Sequence, residues 1–226
     1  MTMQSESLAA VLGRIASAAR AAGRDPLSVR LVAVSKQQPA AAIRSVAQAG
    51  QRDFGESYTQ EALPKIESLA DLKLTWHFIG RLQGNKTRAV AEHFDWVHTV
   101  DRDRIADRLN EQRPALLPPL NVCIQVQVTP EPQKAGIPPE EVEALARHIL
   151  GLPRLKLRGL MCIPPAGEPA AVKQDFIALA DLASRLRTKG IDIDSLSMGM
   201  SGDFEPAIAA GSTLVRVGTA IFGERH

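Results

Sequence analysis

Three short segments contain residues whose types and spacing could do chemistry. The first is an apolar run, Leu31-Val-Ala-Val-Ser, that ends in Lys36. If Val32 and Val34 face the interior of a sheet, period-2 alternation turns Lys36 the same way. Partial burial would lower its pKa and supply the neutral amine that attacks an aldehyde. The alternative is a lysine that snorkels from the strand end into solvent, and position alone favours that outcome. The second segment is Ser197-Met-Gly-Met-Ser-Gly-Asp203, a small-residue loop just before a helical stretch. Such a loop offers backbone N–H groups and a favourable dipole to an anion, and Ser201 adds a hydroxyl. The same residues could instead form an ordinary turn with Ser201 as the helix cap. The third, Arg216-Val-Gly-Thr219, is another tight turn with a hydroxyl. Together, an amine and two anion-cradling loops suit a phosphorylated aldehyde.

The elements that must position these segments alternate along the chain. Apolar runs predict strands over 31–36, 53–57, 74–80, 96–100, 120–128, 155–163, 195–198 and 214–217. Helices are expected over 39–49, 59–69, 85–94, 102–113, 139–150, 170–189 and 205–210. Eight strands alternating with helices in 226 residues predict a single α/β domain over 1–226, a (β/α)8 TIM-type barrel. Barrels of this kind commonly bind phosphate after strands seven and eight, where the two glycine-containing loops fall. The segment 221–226 is too short for an eighth helix. An extra N-terminal helix, with Leu8, Val11, Leu12, Ile15, Ala19 and Ala22 on one stripe, could fill that vacancy. The Ala-, Ser- and Arg-rich start superficially resembles a transit peptide, but the helical stripe and Glu6 argue against one. No C-terminal domain is expected.

Composition narrows the function classes. At 45% apolar residues the chain can build a sizeable core, and no apolar run approaches the roughly 20 residues of a membrane span. A net charge of +2 is too small to predict a nucleic-acid or membrane surface. The five histidines and two cysteines lack metal-ligand spacing, so no metal is expected. Cys123 and Cys162 read as small core residues, and two thiols in apolar runs suit a reducing cytoplasm. Trp76 and Trp96 are expected to fill the space between strands and helices. Gly199-Met-Ser-Gly-Asp203 approaches a nucleophile elbow, but Asp203 replaces its final glycine and no His–acid pair accompanies it.

Ala33-Val-Ser-Lys36, Asp53-Phe-Gly-Glu56, Trp76-His-Phe-Ile-Gly80 with Leu82-Gln83 and Asn85-Lys86, Leu196-Ser-Met-Gly-Met-Ser201 and Val215-Arg-Val-Gly-Thr-Ala-Ile-Phe-Gly223 span nearly the whole chain. In that order they resemble the pyridoxal phosphate homeostasis protein family. The resemblance implies a barrel like the N-terminal domain of alanine racemase, with pyridoxal 5'-phosphate held as a Schiff base on Lys36. It implies that Ser201, Gly218 and Thr219 hold the phosphate, with backbone help near Met200, and that Arg216 points at the pyridine nitrogen. A salt bridge from Arg216 to a carboxylate such as Asp203 is the competing role. His77 and Asn85 belong to family motifs near the barrel mouth, although a strand histidine is more often a hydrogen-bonded wall residue. The family's usual Gly-Glu-Asn is Gly55-Glu56-Ser57 here, which leaves the contact at Ser57 in doubt.

An arginine beside the pyridine nitrogen would keep it unprotonated and weaken the ring as an electron sink. Racemisation would also need a second acid–base group, and the only tyrosine is Tyr58. The resemblance therefore implies a monomeric cofactor-binding protein of vitamin B6 homeostasis rather than an enzyme, with apo-enzymes as candidate recipients. A weak amino-acid racemase or other pyridoxal-phosphate-dependent enzyme using Lys36 is the alternative. A cofactor-free Schiff-base aldolase for a sugar phosphate is a third reading.

Overall fold

The computed structural model describes residues 3–131 and 135–223. Its strands close into one parallel barrel, β1 (Arg30–Val34), β2 (Asp53–Glu56), β3 (Thr75–Phe78), β4 (Trp96–Val100), β5 (Leu120–Gln125), β6 (Leu155–Met161), β7 (Ser195–Ser197) and β8 (Leu214–Val217), in chain order. Closure comes from β8 pairing with β1, Val32 opposite Arg216 and Ala33 opposite Val217. The helices between successive strands are α2 (Ala40–Gln48), α3 (Thr59–Ser68), α4 (Thr87–His93), α5 (Asp103–Gln112), α6 (Val142–Leu150), α7 (Pro169–Thr188) and α8 (Phe204–Ala209). This is the (β/α)8 barrel that the alternation predicts.

The N-terminal helix α1 (Met3–Ala21) fills the expected vacancy. It packs against α2, α8 and the four-residue α9 (Thr219–Phe222) that follows β8. Leu8, Val11, Ile15 and Ala19 are buried there. Each large apolar side chain so removed from water contributes about 2 kcal/mol. Leu12, expected on the same stripe, is 43% exposed, because the buried face is centred on Leu8, Val11, Ile15 and Ala19 and Leu12 lies at its edge. Residues 224–226, the end of the segment too short for an eighth helix, lie outside the described residues.

Two strand expectations change. β5 stops at Gln125, and the chain turns to pair with the segment around Ile137, Gln127 N–H donating to the Ile137 carbonyl. β6, with seven residues, is the longest strand. Lys36 falls two residues beyond β1, in the turn after it.

Most of the apolar core lies between the sheet and the helix ring, with Trp76 there against Phe54. Inside the barrel is a small separate cluster of Val32, Trp96, Cys123, Met161 and Leu214. Trp96 thus sits inside rather than outside, flanked by the guanidinium groups of Arg30 and Arg158 at 5.4 and 4.8 Å from its ring centre. All five residues of β4 are buried, so no polar alternation marks which face is which. Cys123 and Cys162 are buried free thiols, each pushed up to about 12 by burial.

Candidate functional site

The strand ends that lead into helices gather Lys36, Ser57, Met200, Ser201, Gly218 and Thr219 at one end of the barrel. Because β8 is the neighbour of β1, the Gly218-Thr219 turn lies beside the Lys36 turn, not across the mouth from it. The two backbones approach closely. A Cβ on Gly218 would stand 3.1 Å from the Val34 carbonyl oxygen and 3.3 Å from its Cβ.

The turn that bears Lys36 is pinned from behind. Lys65 on α3 donates from Nζ to the Ser35 carbonyl (2.9 Å), to Glu56 Oε1 (2.9 Å) and to Glu61 Oε1 (2.5 Å). Ser35 Oγ donates to the same Glu56 oxygen at 2.6 Å, and the Gln37 amide donates to Glu61. Gln37 adopts φ +63°, a left-handed conformation uncommon outside glycine. Burial raises the Glu56 carboxyl above its usual range, against the pull of Ser35 and Lys65. Its second oxygen, Oε2, is buried with no hydrogen-bond partner among the described residues. Lys36 itself is half-buried.

The loop after β7 is shaped by Gly199, at φ +94°. A Cβ there would meet Ala207 Cβ at 2.7 Å and Phe204 Cα at 2.9 Å, so α8 can pack against the loop only over a glycine. Asp203 accepts from the Met200 amide at 2.5 Å and holds the turn closed. Ser201 is half-buried; Thr219 is exposed at the start of α9, whose first amides precede any acceptor within the helix.

Arg216 lies below this rim, 4% exposed on β8. No ion pair with Asp203 is among its described contacts. Its Nη1 donates to Ser197 Oγ at 2.6 Å and its Nη2 to the Cys162 carbonyl at 3.0 Å. These use two of the five N–H donors of a guanidinium. Burial lowers its pKa from the ordinary arginine value.

His77 is fully buried below the mouth, at mid-barrel. Its Nε2 lies 2.9 Å from Asp53 Oδ1 and its Nδ1 2.9 Å from His98 Nε2. His98 Nδ1 is in turn 2.7 Å from Ser197 Oγ. The histidine is a hydrogen-bonded wall residue, yet its partners lead directly to Arg216. Burial pushes both imidazoles below their ordinary range, His98 well below it, although Asp53 pulls His77 upward. Burial alone would raise Asp53, but the bonds and charges of His77 and Arg30 hold it below the usual carboxylate range. Asp53, His98 and Ser197 were not singled out by sequence reasoning. The clue available was period-2 spacing, which puts His98 on the same face as Trp96 and Ser197 on the same face as Ser195.

Asn85 is exposed ahead of α4. It lines a depression of about 320 Å³ with Arg102, Arg104 and Arg108, and no other predicted site residue lines it. Ser57 is half-buried after β2; its backbone lies where a Cβ on Gly80 would fall, 2.1 Å from the Ser57 carbonyl oxygen. A cavity of about 690 Å³ opens at the opposite, strand-start end between Arg30, Arg158 and Asp194. Among the described residues, no group of three His, Cys, Asp or Glu side chains could hold a metal ion, and no helix is long and apolar enough to cross a membrane.

Comparison with known proteins agrees with this architecture. The family described as "Alanine racemase, N-terminal domain" matches residues 7–226. The chain is 57% identical over 226 residues to the pyridoxal phosphate homeostasis protein of Pseudomonas aeruginosa, covering 100% of this chain and 97% of that one. It is 54% identical over 224 residues to the protein of the same name from Escherichia coli K12, covering 97% and 95%. Among solved structures it is similar to PipY of Synechococcus elongatus with pyridoxal phosphate bound, at TM-score 0.86 and 40% identity, covering 98% of this chain and 100% of that one. The alanine racemase of Corynebacterium glutamicum shares the fold at TM-score 0.70 and 16% identity, over 96% of this chain and 62% of that one. The chain belongs to the pyridoxal phosphate homeostasis protein family, built on the alanine racemase N-terminal barrel.

Proposed function

We propose that this chain is a single domain that holds pyridoxal 5'-phosphate as a Schiff base on Lys36 and serves as a reservoir of the cofactor. The observation that carries the reading is the placement of the Lys36 turn directly beside Gly218-Thr219, with the Arg216 guanidinium buried below. An aldehyde, a phosphate and a ring nitrogen need an amine, a small-residue cradle and a directed donor. Lys36 would supply the first. Ser201, Thr219 and the backbone at Met200 and Gly218 would supply the second, and Arg216 the third. Bound there, the group would supply a reactive aldehyde and an electron-withdrawing ring. PipY, a relative similar over its full length, was solved with the same cofactor bound.

The site is built for holding more than for turnover. Arg216 carries a fixed positive charge and donates hydrogen bonds, so a ring nitrogen facing it would stay unprotonated and the ring would accept electrons weakly. Tyr58, the only tyrosine, is 57% exposed at the start of α3. We therefore read the chain as a non-enzymatic, cytoplasmic monomer that passes cofactor to apo-enzymes. The proposed binding groups all belong to one chain, and both thiols are free and buried. The test is to load the protein with pyridoxal phosphate and incubate it with L- and D-alanine in deuterated water. The expected result is no exchange of the α-proton above the rate of free cofactor. Exchange that is rapid and abolished by Lys36→Ala would replace this reading with the racemase one.

A further inference from the structure

Polar side chains run in one continuous series from the exposed Arg30 through half-buried Asp53 to the buried His77, His98, Ser197 and Arg216. Every link is 2.6 to 3.0 Å long, and the interior members come from five different strands. No apolar packing requirement puts two histidines in contact. In a barrel interior, such groups are costly unless each hydrogen is used once and each lone pair faces a donor.

The two ends dictate the direction of every bond. Asp53 is a carboxylate beside Arg30 (3.0 Å), so it can only accept, and His77 must donate from Nε2. A neutral His77 then has a lone pair on Nδ1, so His98 must donate from Nε2. A neutral His98 likewise accepts at Nδ1, so the Ser197 hydroxyl must donate to it. The remaining acceptor on Ser197 Oγ then faces a group that can only donate, the guanidinium of Arg216. The alternative direction would put a doubly protonated, charged imidazole in the barrel interior, where burial opposes it at both histidines.

We infer that Asp53, His77, His98 and Ser197 are positioning residues, a one-way hydrogen-bond chain that aims the Arg216 guanidinium at the ring nitrogen of the bound cofactor. The inference rests on the proposed contact between Arg216 and that nitrogen. Asp53, near the floor of the barrel, fixes the tautomer of both histidines, and through Ser197 the guanidinium keeps one of its two anchors. The other anchor, the Cys162 carbonyl, fixes a position but not an orientation. Loss of the chain should therefore be felt at the ring nitrogen and not at the phosphate or the aldehyde.

A ligand differing in one atom separates this role from general structural support. Dissociation constants are measured for pyridoxal phosphate and for its analogue in which C–H replaces the ring nitrogen. The proteins are wild type, Ser197→Ala, Ser197→Thr and Asp53→Ala, each checked for folding by circular dichroism. Wild type should prefer the natural ligand by roughly tenfold, about the worth of one buried hydrogen bond to a charged group. Ser197→Ala and Asp53→Ala should each cut that preference by about three- to tenfold while changing affinity for the analogue less than about twofold. Ser197→Thr, which keeps the hydroxyl, should preserve the preference. Equal weakening for both ligands would overturn the inference, as would a preference that survives both alanine substitutions. Equal affinity of wild type for both ligands would overturn the proposed Arg216 contact, and this inference with it.

Discussion

Two buried neutral histidines make stability depend on pH in a range where most carboxylates are already ionised. Burial lowers the folded-state pKa of His77 and His98, so between the ordinary imidazole value and those lowered values the unfolded chain binds more protons than the folded one. The sign follows directly. The stabilisation is fully present above the ordinary pKa of about 6.5 and is lost as pH falls below it. If neither ring takes up a proton while folded, lowering the pH from about 7.5 to about 6 costs about 0.8 kcal/mol per histidine, or about 1.5 kcal/mol for the pair. Glu56 and Asp101, whose carboxyls burial raises, act in the opposite sense, and their effect grows as the pH falls further. The window from about pH 7.5 to 6 therefore isolates the histidines best. The assay is urea unfolding across this window in wild type and in His98→Leu. The variant should be less stable at every pH by about 2–4 kcal/mol, since His77 and Ser197 lose their partner inside the barrel. Its stability should nevertheless fall by only about half as much between the two pH values. A wild-type protein equally stable at both ends of the window, or a variant with an unchanged slope, would refute the claim that these rings stay neutral.

Other outcomes follow from the same geometry. In a sample with nitrogen-15 in its imidazole rings, long-range proton–nitrogen correlation spectra should report both His77 and His98 protonated on Nε2 near neutral pH, and an Nδ1–H form of either would break the chain's direction. Lys65→Met should cost about 3–5 kcal/mol in chemical unfolding by leaving Glu56 buried without its cation, and adding Glu56→Leu should recover much of that loss. Gly199→Ala should cost at least about 2 kcal/mol by the same assay, because the added Cβ meets Phe204 and Ala207 at a positive φ. Gly202→Ala, with nothing within 4 Å of the new carbon, should be within about 0.5 kcal/mol of wild type.

Much of the scaffold was legible in the sequence because barrel strands are short, buried on both faces and separated by helices. β4 (96–100) and β8 (214–217) fall where the apolar runs place them, and α1 packs against α2, α8 and the short α9 as its apolar stripe predicts. The placement of the rim residues was legible for a different reason: glycine and hydroxyl residues fall where strands end and turns begin. The interior was not. A strand buried at every position, such as β4, hides its facing, so the sequence puts Trp96 on the wrong side and leaves His98 unmarked. The contacts that give His98 and Ser197 their role join residues 99 positions apart, and only closure of the barrel brings them together. His77 could be noticed from its motif, but its significance depends on Asp53 and His98, whose geometry no spacing rule encodes. Asn85, noticed for the same reason, lies among arginines at the start of α5.

The central claim is that Lys36 holds the cofactor, and covalent trapping tests it most directly. The purified protein is saturated with pyridoxal phosphate, reduced with borohydride and digested, and the modified lysine is located by mass spectrometry, with Lys36→Ala treated in parallel. A visible absorption band that borohydride abolishes, with the reduced adduct on Lys36 and none at that level in the variant, is the predicted result. A protein that develops no such band, or one whose adduct lies on another lysine and persists in Lys36→Ala, would contradict it.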